Sequence, residues 1–167
     1  QKTLWTAMIQ AMQYWVKETD IDGFRCDVAH LLPLKFWQQA RAKLDAQKPM
    51  FMLAESDDAH LHDAAFDMTY DWALQDVLKK IAKGQADVRD LKAYLASAAN
   101  ALPADGYRMT FTANHDTNSW HNHDAGHFGD AFAAMAVIAA TFPGMPLVYG
   151  GQESGLNKML QFFEKDT

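Results

Sequence analysis

The sequence has a single cysteine, Cys26, so no internal disulfide can form and the redox compartment stays open. It has no excess of basic charge. Fifteen Lys and Arg against 21 Asp and Glu leave a net charge of −6, which argues against nucleic acid as a partner. It also lacks a long hydrophobic run. The most apolar stretch, residues 131–142, is too short to span a bilayer and runs into Pro143, Gly144 and Pro146. No secretory pattern opens the chain, which begins with the polar Gln1-Lys2-Thr3. Gly-rich phosphate loops, paired metal-binding Asp motifs, internal repeats and low-complexity tracts are absent too. The expectation is a soluble protein with no nucleic-acid and no membrane partner, of unknown compartment. The chain also starts without Met, and its first helix has no preceding partner, which predicts a piece of a longer protein.

What is present is enough for one domain with a real core: 167 residues, 49% of them hydrophobic. Five Trp, five Tyr and ten Phe are generous for this length. Most are expected in the core, and some are suited to stacking against sugar rings. Leu4, Trp5, Met8, Ile9, Met12, Trp15 and Val16 recur at helical spacing. Residues 21–27 read as a strand, and Pro33 opens a helix whose apolar side is Phe36, Trp37, Ala40 and Leu44. The continuously apolar run 50–54 predicts a strand covered on both faces. Residues 64–68 read as a further strand, and two helices follow, the first closed by Gly84. Residues 107–112 read as the fourth strand and 114–129 as a polar loop. Asp130 is expected to cap an apolar helix before a fifth strand at 145–149. Strands alternating with helices predict parallel βαβ units, with sites at the carboxyl ends of the strands.

Three acidic residues fall at those ends: Asp27 after Gly23-Phe24-Arg25-Cys26, Glu55 after Leu53-Ala54, and Asp116 after Asn114-His115. A carboxylate ending a buried strand is costly to desolvate, so it normally has a partner or a task. Side chains two apart on a strand share a face, so Arg25 and Asp27 point the same way and Arg25 favours an ionised Asp27. An oriented carboxylate of this kind is a suitable nucleophile. Glu55 has no basic residue within several positions along the chain. A buried carboxyl away from cations favours its neutral form, which suits a general acid. Two carboxyls in opposed environments are the machinery of glycoside hydrolysis. Asp116 is then free to stabilise developing positive charge, with His115 donating to a sugar hydroxyl.

Blander roles compete at each position. Arg25 and Asp27 also make a structural ion pair, Glu55 a helix N-terminal acid, and Asn114-His115-Asp116 a turn. The histidines at 60, 62, 121, 123 and 127 invite a zinc reading, but no cysteine cluster or His-Glu-x-x-His helix accompanies them, and solvated loop positions are expected. Met8, Met12, Met50 and Met52 are expected in the core. Asp57, Asp58, Asp67 and Asp71 are expected at the surface or in loops.

At these residues the chain resembles the α-amylase superfamily, glycoside hydrolase family 13. Gly23-Phe24-Arg25-Cys26-Asp27 is similar to that family's Gly-x-Arg-x-Asp segment, Leu53-Ala54-Glu55 to its acid/base segment, and Phe111-x-x-Asn114-His115-Asp116 to the segment of its third carboxylate. Gly144-x-Pro146-x-x-Tyr149-x-Gly151-x-Glu153 resembles a further segment. The resemblance implies an α/β fold, a partial (β/α)8 barrel holding roughly its fourth to eighth strands, and retaining hydrolysis of α-glucosidic bonds in α-glucans or maltooligosaccharides. It implies Asp27 as nucleophile, Glu55 as acid/base and Asp116 as the third catalytic carboxylate. Arg25, His115 and Asn114 would be substrate-binding or orienting. It also implies carboxyls of Asp27 and Glu55 about 5–5.5 Å apart. Two departures stand out. Val28-Ala29-His30-Leu31 replaces a Lys-His pair common after the nucleophile, and the family's first segment has no match. The inserted domain that usually contributes calcium ligands in the family also has no match, so no cofactor is assigned from this chain and calcium is left open for the full-length protein. Five of eight strands cannot close a barrel, so self-association through open edges is expected. Alternatives are a glucan-transferring or trehalose-forming enzyme of the superfamily, a noncatalytic amylase-like scaffold, and a magnesium-dependent phosphoryl-transfer enzyme.

Overall fold

The computed structural model describes residues 2–166, which form two compact units. The first runs up to Tyr70 and takes in Ala101–Tyr107; the second comprises Asp71–Asn100 and the chain from Arg108 onward.

The first unit begins with α1 (Lys2–Thr19), then β1 (Gly23–Cys26), α2 (Leu34–Asp45), β2 (Phe51–Ala54) and β3 (Met68–Tyr70). The three strands are parallel, with Arg25 opposite Leu53 and Leu53 opposite Met68. Gly23 is required where β1 meets β2: a Cβ there would lie 2.0 Å from the Phe51 carbonyl oxygen. Ile9, Val16, Phe36, Trp37, Leu44 and Met52 form the core with the buried side of the strands. Trp37 fixes the loop after β1 by donating its indole N–H to the Ala29 carbonyl at 2.9 Å.

β2 is not covered on both faces as expected. Met52 and Ala54 are fully buried, whereas Phe51 is exposed and Leu53 half-buried, because alternate side chains leave opposite faces and only one meets the helices. Of the four methionines expected inside, Met50 and Met52 are buried, but Met8 is exposed. The strand expected at 64–68 lies later, at β3. Residues 59–62 form a 3-10 turn capped by the Asp58 side chain, and Ala64 takes a positive φ of 52° that ends any extended run there.

The second unit holds α3 (Trp72–Ala82), α4 (Val88–Ala98), β4 (Tyr107–Thr110) from Arg108 onward, α5 (Asp124–Phe128), α6 (Phe132–Thr141) and β5 (Met145–Pro146). β4 and β5 are parallel, with Met109 opposite Met145. Leu74, Leu78, Phe128, Met135 and Ala139 make a second core. Asp71, expected at the surface or in a loop, lies in the connection between β3 and α3 and is buried. It caps α3 by accepting from the Leu74 N–H at 3.0 Å, and it accepts from the Tyr94 hydroxyl. Burial and that hydrogen bond push the Tyr94 hydroxyl's pKa well above its ordinary value. Asp67, expected at the surface or in a loop, lies just before β3 and holds Arg41 at 2.8 Å and the Met52 N–H at 2.7 Å.

Two further expectations fail here. The segment 114–129 is not a plain loop: residues 117–121 form a π-helical turn and 124–128 a short helix, with His123 accepting from the Gly126 N–H through Nδ1. Asp130 does not cap α6. It lies inside a 3-10 turn, and the residue before the helix is Ala131, which has no side chain to cap with. β5 is also shorter than the five residues expected; it is set close to β4 by Gly144, whose added Cβ would lie 2.6 Å from the Arg108 carbonyl oxygen.

Candidate active site

In the first unit the site grows from the carboxyl ends of β1 and β2. Arg25 is the last but one residue of β1, and its register opposite Leu53 brings it beside the residue that follows β2, Glu55. Its guanidinium reaches two carboxylates at once. Nη1 lies 2.6 Å from Asp27 Oδ1, and Nη2 lies 2.6 Å from Glu55 Oε1. A planar fork with fixed donors suits such a double contact better than an ammonium does. Tyr70, at the end of β3, supports the fork. Its hydroxyl accepts from Arg25 Nε at 3.3 Å, and its ring lies 5.9 Å from the guanidinium carbon. Partial burial works against the charge on Arg25, but hydrogen bonds to Tyr70 and Asp27, with the charge of Glu55, outweigh it and raise the pKa.

The two carboxylates differ in exposure. The Asp27 side chain is 76% exposed, whereas that of Glu55 is 12% exposed. Glu55 has a second donor, the Val28 N–H, which reaches Oε2 at 2.8 Å. Val28 achieves this with φ 36° and ψ 48°, a left-handed conformation rare for a β-branched residue. Cys26 sits behind the pair with its thiol pushed up to about 12 by burial, partly offset by the charge of Arg25.

The expectation that Glu55 lies away from any cation is therefore wrong. Distance along the chain misled, because the neighbouring strand delivers Arg25 from thirty positions earlier. Tyr70 was missed for a related reason: with the third strand placed too early, Tyr70 fell outside it. The Val28 contact is made by a backbone N–H, which no residue type advertises.

In the second unit, Asn114, His115 and Asp116 follow β4. Asn114 is 1% exposed and builds the turn: its Oδ1 accepts from the Asp116 N–H at 3.0 Å and the Thr117 N–H at 2.9 Å. Thr117 returns a contact by accepting from the Asn114 N–H at 2.9 Å. His115 Nε2 lies 3.5 Å from Asp116 Oδ2, and both side chains are partly exposed. Gln152 ties the turn after β5 to the end of β4. Its Nε2 donates to Thr112 Oγ1 at 2.7 Å, while its Oε1 accepts from the Tyr149 N–H. Of the histidines expected in solvated loops, His62 is buried against Thr69 at 3.0 Å, and His127 is buried with its pKa lowered, first by burial and then by Lys79.

The family described as "Alpha amylase, catalytic domain" matches residues 1–167. Alpha-amylase MalA of Haloarcula japonica is 29% identical over 151 residues, covering 89% of this chain and 22% of its own length. Among solved structures, a noncanonic maltogenic alpha-amylase, AmyB, from Thermotoga neapolitana aligns over all of this chain and 39% of its own, with a TM-score of 0.87 and 34% identity. An alpha-amylase from Lactobacillus plantarum aligns over all of this chain and 43% of its own, with a TM-score of 0.85 and 30% identity. The chain thus spans about a fifth of that relative and two fifths of those structures, and its fold is part of a (β/α)8 barrel.

Proposed function

Because the chain belongs to the alpha-amylase catalytic-domain family, we propose that it carries the catalytic carboxylates of a retaining hydrolase acting on α-glucosidic bonds in α-glucans or maltooligosaccharides. The observation that supports this best is the placement of Asp27 and Glu55 directly after the adjacent parallel strands β1 and β2, with Arg25 reaching both at 2.6 Å. A double contact alone does not mark catalysis, since Arg41 also holds Asp45 and Asp67; two carboxyls converging at the carboxyl ends of neighbouring strands are what paired-carboxylate hydrolysis needs.

In this reading Asp27 attacks the anomeric carbon. A bond from its Oδ forms as the glycosidic C–O bond breaks, and Glu55 gives its proton to the departing oxygen. Water then attacks the same carbon, gives a proton to Glu55, and releases Asp27 with the original configuration restored. Exposure suits these parts: Asp27 is open to an incoming sugar, and Glu55 is sheltered and oriented by Val28. Asp116 is the third carboxylate, His115 a sugar contact, and Asn114 the residue that shapes their turn.

The chain is read as part of a longer enzyme, inactive alone and prone to self-association. In support, the first unit has an apolar groove of about 330 Å³ lined by Leu4, Trp5, Met8, Phe24, Leu32 and Trp37. Reducing-sugar release from starch tests both ideas. The longest polypeptide carrying this chain is expected to be active and its Glu55→Gln variant slower by about 10³-fold. The isolated 167-residue chain is expected to be inactive. A Glu55→Gln variant with full activity would overturn the assignment, and starch hydrolysis by the monomeric chain would overturn the fragment reading.

A further inference from the structure

The second unit carries an exposed run of rings that no step above uses. Trp120, in the turn 117–121, is 55% exposed, Phe162 38% and Phe163 83%. The His115 and Phe162 ring centroids are 5.9 Å apart with planes inclined by 31°, and those of Phe162 and Trp120 are 4.8 Å apart with planes inclined by 36°. The three rings thus form a tilted stack leading away from His115, with Phe162 against both of the others, and Phe163 stands edge-on beside it, 4.8 Å from Phe162. Large apolar rings left in water cost free energy, so their joint exposure calls for an occupant.

The stack is built rather than incidental. Buried Asn118 clamps the later segment onto the turn that carries Trp120. Its Nδ2 donates to the Lys158 carbonyl at 3.1 Å, and its Oδ1 accepts from the Leu160 N–H at 2.8 Å. Asp166 closes the segment by accepting from Lys158 Nζ at 2.8 Å and from the Gln161 N–H at 3.0 Å. Phe162 and Phe163 are therefore held between fixed points. Two features identify the occupant. Trp120 and Phe163 keep open ring surface, which suits the apolar C–H face of a pyranose, and the opposite end of the stack is polar, with His115 and Asp116 able to meet hydroxyls. An apolar protein segment would leave that end unsatisfied.

We propose that Trp120, Phe162 and Phe163 form a binding subsite that stacks a glucosyl ring of an α-glucan beyond the sugar contacted by His115. This rests on the carbohydrate reading above and adds a preference for longer chains, since a short sugar filling the catalytic position does not reach the stack.

The test is binding, not turnover. Maltoheptaose affinity is measured by tryptophan fluorescence and calorimetry on the longest polypeptide carrying this chain, with Glu55→Gln to prevent cleavage. Trp120→Ala and Phe163→Ala are each expected to weaken maltoheptaose binding about tenfold, while Trp120→Phe keeps most of it. Phe163 is nearly free of packing, so its variant guards against a mere folding defect. Unchanged affinity in both alanine variants overturns the subsite. So does a change in oligomeric state with no change in affinity, which would make the stack a protein interface. Maltoheptaose that binds through these rings but is never cleaved by the wild-type sequence leaves the subsite standing and defeats the hydrolase reading; cleavage with unaltered affinity in the variants does the reverse.

Discussion

The two units hold their acidic residues by different physics. In the first, Asp27 and Glu55 are fixed by formal charge through the fork of Arg25. In the second, Asp116 is presented by a turn whose shape comes from neutral hydrogen bonds between the Asn114 side chain and successive backbone N–H groups. A planar guanidinium aims two carboxylates at once, so it suits groups that must act together on one bond. A hydrogen-bonded turn fixes the position of one side chain by itself, so it suits a group that only has to face a developing positive charge.

Substitutions can break each half separately. Arg25→Lys keeps the charge but loses the fork, so it cannot hold both carboxylates. It is expected to lower kcat by about 10²-fold with little change in KM, as steady-state kinetics on maltooligosaccharides would read. Equal activity would mean that the clamp is only structural. Asn114→Ala removes the acceptor for two backbone N–H groups, that of Thr117 buried and that of Asp116 part-buried. Chemical denaturation should show a loss of about 1–3 kcal/mol, with activity falling alongside stability. If stability is unchanged, the turn does not depend on Asn114.

The smallest effect concerns pH. His127 is buried with its pKa held below 6.5, so the folded protein resists a proton that the unfolded chain accepts near 6.5. Below that pH the unfolded state binds more protons, and stability falls as pH drops. Urea midpoints at pH 7.5 and 5 should diverge, and His127→Gln should narrow the gap. Identical pH dependence in the two proteins would exclude His127 as a contributor.

The positions of Asp27 and Glu55 were legible because each directly follows a strand, β1 or β2, whereas Asp116 lies six residues beyond β4 and was legible only through its Asn114-His115-Asp116 segment. The parallel βαβ order was legible from the alternation of strands with helices. What stayed hidden is what one strand lends to another. Arg25 seemed remote from Glu55, and Tyr70 was lost when its strand was placed too early. The Val28 N–H depends on a backbone conformation that its side chain disfavours. The turn at 117–121 and the helix at 124–128 were hidden for another reason. Their Asn, His and Asp residues have loop composition, yet those side chains serve as caps and turn acceptors, as with His123 for Gly126.

Asp27 is the residue proposed to bond to the sugar. Incubating the longest polypeptide carrying this chain with a 5-fluoro-α-glucosyl fluoride, then identifying the labelled peptide by mass spectrometry, tests that role most directly. One glycosyl adduct on the carboxylate of Asp27, lost in Asp27→Asn, is expected; an adduct on Glu55 or Asp116, or labelling that survives Asp27→Asn, would rule out Asp27 as the nucleophile.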